Sequence, residues 1–353
     1  MSSLQHLHQP TDRCIEYQDQ HYLFFGGTAY LGLLANQEYI QLFKQGIDKY
    51  GLNNGTSRSN NVQLGIYDET EEYLSKRFCF EDAAIFSSGY LAAQTTVRTL
   101  TVGKRIFYAP DCHQALWLDN QPQVNTPFDQ WSSQIVEEIN GTPEHEIVII
   151  ANALDNLSPS FYDFSFVSQI ESSKHITLIL DDSHGIGIVR YNGISVDISL
   201  LKHRVNTEIV VLASLAKGLG TDAGVVLGSM EAISNIKASP IFRGASPCSP
   251  ASLYAMIKGE DIYAQEYDKL QNNLIKFGKL VKDLDMFSSI PNFPIFTSRD
   301  VRLFDILYSR RLLISSFPYP LPTSPLLNRI VISSLHKEDD LVYLADVCAT
   351  NRS

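Results

Sequence analysis

Six short, mostly apolar runs constrain this chain most: Ala83–Phe86, Arg105–Tyr108, Ile147–Ala151, Ile176–Leu180, Ile209–Ala213 and Ala223–Leu227. Their hydrophobicity is nearly unbroken, so a strand formed by any of them has no polar face to turn to water. Strands of that kind belong in a parallel sheet covered on both sides. Amphipathic segments such as Gln130–Ile139 and Phe164–Glu171 lie between them and supply the covering helices. Residues from about 36 to 245 therefore read as one doubly wound α/β domain.

The flanks read differently. Residues 14–25 form an apolar ribbon with a polar turn at Gln18–Gln20, and residues 1–35 are read as an extended N-terminal segment. Helical periodicity begins at Asn36, with Tyr39, Ile40, Phe43 and Ile47 on one face, and a second helix is expected over about Asp68–Phe78. Prolines cluster in Ser239–Pro250 and mark a boundary. Beyond it the pattern predicts a small α+β domain over residues 246–353. Its parts are a long helix from Ala251 to about Asp283, strands near Pro294–Thr297, Leu312–Ser315 and Arg329–Ser333, and a last helix from His336 to Cys348.

With 28 Lys and Arg against 39 Asp and Glu, the net charge of −11 argues against nucleic acid as a partner. No segment reaches the roughly 18 apolar residues that would span a membrane, and the start resembles no leader peptide. Five scattered cysteines without a C-x-x-C pair point to a reducing compartment and to no structural metal. The expectation is a cytoplasmic protein.

In an open α/β sheet, ligands bind beyond the carboxyl ends of the strands. Four such ends stand out. Ser87-Ser88-Gly89-Tyr90 opens a helix whose free N–H groups could take a phosphate, or simply carries an N-cap serine. Asp181-Asp182-Ser183-His184 places two carboxylates at the end of a buried strand, where they need a cation, a metal or a protonated heterocycle; Asp-x-x-His alone offers only two metal ligands. Lys217, enclosed by Leu215, Ala216 and Leu219, would have its proton affinity lowered by desolvation and become a nucleophilic amine, unless it snorkels to solvent. His113, after Pro110-Asp111-Cys112, could stack on a planar ring, act as an acid or base, or cap a helix. Gly185-Ile186-Gly187 lacks the third glycine of a dinucleotide-binding fingerprint, which leaves NAD the weakest reading.

Taken together, a lysine able to form a Schiff base, a strand-end aspartate, a phosphate-ready helix and a ring-stacking histidine are the parts of a pyridoxal 5'-phosphate site. Their order resembles the α-oxoamine synthase family, whose members condense an amino acid with an acyl-CoA on the aspartate aminotransferase fold. The resemblance runs from about residue 28 to the C-terminus through Tyr30-Leu31-Gly32-Leu33, Ser57-Arg58, Ser88-Gly89-Tyr90, Lys217-Gly218-Leu219-Gly220 and the stretch Arg329 to His336.

The resemblance implies a pyridoxal-phosphate transferase fold and a role for each matched residue. Lys217 would carry the cofactor, Asp181 would pair with its ring nitrogen, His113 would stack on its ring, and His184 would lie near its phenolic oxygen. Ser88, Gly89, Tyr90 and Ser214 would hold the phosphate, joined by Ser246 of a neighbouring subunit in a homodimer. Arg329 would clamp the substrate carboxylate, and Thr28 would stand where the family has a substrate-contacting asparagine. Tyr67, Ala153 and Pro320 replace a His, a Ser or Thr, and a Thr of the family pattern. The same site would also serve an aminotransferase, with a 2-oxo acid as second substrate, or survive in a non-catalytic binding subunit.

Overall fold

The computed structural model describes residues 7–202, 204–318, 323–324 and 326–350; the expectation attached to Pro320 lies outside them. The chain opens with a hairpin, β1 (Cys14–Tyr17) and β2 (Gln20–Phe25), whose turn residues Gln18 and Asp19 both take positive φ. The helices α1 (Gln37–Tyr50) and α2 (Ile66–Phe78) follow. Asn36 caps α1 by accepting from the Tyr39 N–H, and acidic residues crowd the first turn of α2, as the helix dipole favours.

The large sheet is then built from β3 (Asp82–Phe86), β4 (Arg105–Tyr108), β5 (Glu146–Asn152), β8 (His175–Asp181), β9 (Thr207–Ser214) and β10 (Gly224–Gly228). Between these strands lie α3 (Gly89–Leu100), α4 (Phe128–Gly141) and a two-residue pair of strands, β6 (Leu154–Asp155) and β7 (Ser160–Phe161). The strand order is β3-β10-β9-β8-β5-β4. Strands β4, β5, β8 and β9 run parallel; the interiors of β5, β8 and β9 are buried on both faces as their apolar runs require, while the edge strand β4 buries only Phe107. Strand β10 is antiparallel to both its neighbours. The stretch from Ser214 to Gly224 is too short for a crossover, which needs a dozen or more residues, so β9 can return only as a hairpin. Phe164–Glu171, expected as a covering helix, forms a single short turn over Ser165–Gln169.

After β10 come α5 (Met230–Ala238), α6 (Pro240–Gly244), α7 (Pro250–Lys258) and α8 (Glu260–Val281). The long helix expected from Ala251 is thus two helices meeting at Gly259. A methyl group there would sit 2.8 Å from the Ala255 carbonyl oxygen and 3.2 Å from the Tyr39 ring. The C-terminal part adds β11 (Ile295–Ser298), α9 (Leu303–Ser309), β12 (Leu312–Pro318), β13 (Leu326–Val331) and α10 (Glu338–Thr350).

The second sheet has the order β1-β2-β12-β13-β11 and corrects one sequence boundary. The N-terminal ribbon, read as a segment of its own over residues 1–35, pairs through β2 in parallel with β12 and belongs to this small sheet. An apolar hairpin leaves an open edge, and pairing satisfies that edge while burying Ile15 and Tyr22 against Leu313. No helix among the described residues is long and apolar enough to cross a membrane.

Candidate active site

The carboxyl ends of the large sheet converge on one pocket. Asn152 ends β5 and Asp181 ends β8, and the two are register partners. Lys217 sits in the hairpin that follows β9. These residues, with His113, Leu154, Asn156, Ser183 and His184, line a single cavity, so the four residues expected to carry the chemistry are brought together. The sheet makes this unavoidable: adjacent parallel strands in register deliver whatever follows them to the same edge.

Local hydrogen bonds set the orientations. Asp181 accepts the Ser183 N–H at 2.9 Å, while the Ser183 hydroxyl accepts the Ser214 N–H at 2.8 Å, tying the ends of β8 and β9 together. Asp182, the other member of the carboxylate pair, faces away from the pocket. It is fully buried and accepts from the Ser195 N–H and hydroxyl, so its role is to hold the loop, as a capping aspartate would. The His113 backbone N–H donates to Asn152, and its ring Nδ1 accepts from the Ala115 N–H at 3.2 Å, which leaves Nε2–H as the free donor. The Tyr30 hydroxyl lies 2.8 Å from His184 Nδ1, and the Asn156 amide lies 2.9 Å from Nε2.

Burial and neighbouring cations decide the charges. Burial, helped by Arg329 and opposed by Asp181, lowers the proton affinity of Lys217. Burial also lowers that of His113, with Lys217 adding to it and Asp181 opposing. For His184, burial and then Lys217, Arg329 and His113 all push downward, so the ring is neutral. Tyr30 is pushed up to about 12 by burial and stays a phenol.

Arg329, on β13, completes the set from the small sheet. It is only 6% exposed, its Nε has no hydrogen-bond partner, and its charge reaches Tyr30, His184 and Lys217. Its guanidinium lies over the Phe317 ring at 5.7 Å, which leaves the Nε–H unsatisfied; a buried donor without an acceptor is costly, and a carboxylate is the group that satisfies the planar fork. At the opposite rim, Ser88 caps α3 by accepting the Leu91 N–H, which leaves the first N–H groups of that helix free. A methyl on Gly89 would fall 2.5 Å from the Ser214 Cβ, so the two segments meet as closely as a glycine permits. An amine, a strand-end carboxylate, a helix N-terminus and a buried guanidinium with an unsatisfied Nε–H suit pyridoxal phosphate and an amino acid.

Other expected residues lie outside this cavity. Tyr90 is 58% exposed on the outer side of α3. Ser246 is exposed in the link between α6 and α7, and Thr28 is half-buried with its carbonyl accepting the Tyr30 N–H. Tyr67 is buried and donates to the Cys248 carbonyl, while Arg58 lies over its ring and pairs with Glu71 at 3.0 Å. Ala153 is buried, with its N–H on the Asp181 carbonyl. Asn152, Asn156 and Tyr30 were not singled out as site residues. The strand-end rule reaches Asn152, which directly follows an apolar run; nothing local marks Asn156.

No family model matches the chain. It is similar to a putative 8-amino-7-oxononanoate synthase of Methanococcus vannielii, at 24% identity over 95% of this chain and 93% of that protein. It is equally similar to the 8-amino-7-oxononanoate synthase of Buchnera aphidicola, at 24% over 95% of this chain and 90% of that one. Among solved structures, a serine palmitoyltransferase from S. paucimobilis that holds pyridoxal phosphate superposes with a TM-score of 0.79 at 14% identity, covering 94% of this chain and 88% of that one. An 8-amino-7-oxononanoate synthase from Francisella tularensis gives 0.69 at 19%, over 93% and 97%. The expected fold is therefore the one present.

Proposed function

We propose that this chain, which belongs to the α-oxoamine synthase family of pyridoxal-phosphate enzymes, condenses a small amino acid with an acyl-CoA, releasing CoA and carbon dioxide. The observation that carries the reading is the pocket itself: Lys217 and Asp181 after adjacent strands, with Arg329 buried on the small sheet near enough for its charge to reach Lys217 and His184. When bound, pyridoxal phosphate supplies an electron sink for the charge left on the amino acid's α-carbon.

The residues then divide the work. The amine of Lys217, held below its ordinary proton affinity by burial, would bond the cofactor and would be the base placed to take the amino acid's α-proton. Asp181 keeps a proton on the cofactor's ring nitrogen. His113 covers the ring and donates from Nε2, and His184 stands by the phenolic oxygen. Ser214 and the free N–H groups of Ser88, Gly89 and Tyr90 take the phosphate, with Ser246 contributing from a second copy in a homodimer. Arg329 orients the amino acid through its carboxylate, and Thr28 lies at the substrate side.

Borohydride reduction after loading with pyridoxal phosphate, followed by peptide mapping, should place the cofactor on Lys217. Thiol release with glycine, alanine or serine and acyl-CoAs of increasing length then tests the reaction. Consumption of a 2-oxo acid with no thiol released would make the protein an aminotransferase.

A further inference from the structure

His184 is held at both ring nitrogens, by Tyr30 at Nδ1 and by Asn156 at Nε2. A neutral imidazole has one N–H and one lone pair, so its two partners must play opposite roles. Tyr30 decides which. Its side chain is fully buried and its phenol keeps its proton, which must be placed on an acceptor; His184 is the one in reach. Nδ1 is then the acceptor and Nε2 carries the hydrogen. Asn156, whose amide nitrogen Nδ2 lies 2.9 Å from Nε2, must have its amide turned so that the carbonyl oxygen meets that N–H, because two N–H groups cannot bond each other; hydrogen-bonding logic, not shape, tells the two ends of an amide apart.

We propose that Asn156 is a positioning residue that receives the Nε2–H which the Tyr30 phenol dictates and so holds His184 in one ring plane beside Lys217. The consequence for the cofactor rests on the function proposed above; the hydrogen-bond assignment does not. Every group whose charge reaches the ring opposes a second proton: Lys217 from the β9–β10 hairpin, Arg329 from β13 and His113 after β4. The ring stays neutral, so the Nε2–H that Asn156 receives is its only N–H. Asn156 also lines the pocket beside Asp181, close enough for a loss of its carbonyl to be felt by whatever occupies the site.

The test is 15N NMR of the cofactor-free protein labelled at histidine, with His184 signals identified by their loss in His184→Gln. The wild type should show a protonated Nε2 and a lone-pair Nδ1 near neutral pH. Asn156→Asp keeps an acceptor, so it should retain this tautomer and raise the ring's proton affinity. Tyr30→Phe, which removes the phenol proton, should give averaged signals from two tautomers, whereas Asn156→Ala should keep the tautomer and shift the Nε2–H signals as their acceptor is lost. A protonated Nδ1 in the wild type, or unchanged signals in Asn156→Ala, overturns the assignment; if Asn156→Ala does not fold, the wild type and Asn156→Asp decide. With pyridoxal phosphate loaded, the pH at which the bound cofactor's visible spectrum changes should shift in Asn156→Ala, and no shift would remove the positioning role. A wild type that takes up no cofactor sinks the proposed function, while the ring signals still judge Asn156.

Discussion

Mild acid should weaken the seam between the N-terminal ribbon and the rest of the small sheet, because His336 cannot accept a proton where it sits. The side chain is 5% exposed, stacked on Phe25 with ring centroids 4.1 Å apart. Its Nδ1 accepts the Ser333 N–H at 2.9 Å, and Nε2 donates to the Phe24 carbonyl at 3.0 Å. Both nitrogens are committed as a neutral ring. Burial lowers the proton affinity from the ordinary 6.5 to about 4, against the opposing pull of the Phe24 carbonyl and Asp340. Between those values the unfolded chain binds a proton that the folded chain refuses. The stability His336 contributes is therefore whole above pH 6.5 and falls as the pH drops toward 4, after which the loss saturates. At about 1.4 kcal/mol per pH unit, the full loss is about 3 kcal/mol. Urea unfolding of the wild type and of His336→Gln, measured from pH 7.5 to 4.5, isolates the effect, since other titrating groups cancel in the difference. The variant should be the less stable at neutral pH, and the gap should narrow by about 2–3 kcal/mol across that range. Hydrogen exchange should place the acid-induced opening at residues 14–25. Parallel stability curves would refute the reasoning.

Gly89→Ala puts a methyl 2.5 Å from the Ser214 Cβ and 2.7 Å from its Cα, so the first turn of α3 must move; cofactor retention on dialysis should fall about tenfold or more, for an overpacking cost of about 1–3 kcal/mol. Asp181→Asn should keep the cofactor but slow exchange of the amino acid's α-proton into deuterated water by orders of magnitude, and exchange at the wild-type rate would remove Asp181 from its role. Arg329→Ala should weaken amino-acid binding by about 2–5 kcal/mol with the fold intact, and Lys should rescue poorly for want of a planar fork; spectral titration with a small amino acid reads both. Glu71→Gln removes the charge facing the largely buried Arg58 at 3.0 Å, while Lys237, at 3.1 Å, keeps Asp82 as a partner; it should cost about 3 kcal/mol in urea unfolding without changing cofactor affinity.

The sequence by itself determined the large sheet, because a strand buried on both faces must be apolar throughout, and such runs are visible without any knowledge of neighbours. It also placed Lys217, Asp181, His184 and His113, since polar residues that follow such runs stand at the strand ends where open sheets bind ligands. Arg329 came from the likeness of its stretch to a family pattern, and the burial that leaves its Nε without an acceptor is a property no local pattern displays.

Tertiary structure decided the rest. The ribbon at residues 14–25 joins β12, nearly three hundred positions away, because an unpaired edge finds a partner by proximity in space, and pairing of edges leaves no periodic signal. The strand from Gly224 runs against its neighbours because the link before it is short, a matter of connection length and not of composition. At Gly259, where α7 and α8 meet, the Ala255 carbonyl and a tyrosine on another helix leave room only for a glycine. Asn156 acquired its place beside His184 only when two strand ends 28 residues apart closed on the same pocket. Hydrophobic burial is written into the sequence residue by residue, whereas a hydrogen bond between distant side chains exists only once the backbone has brought them within reach.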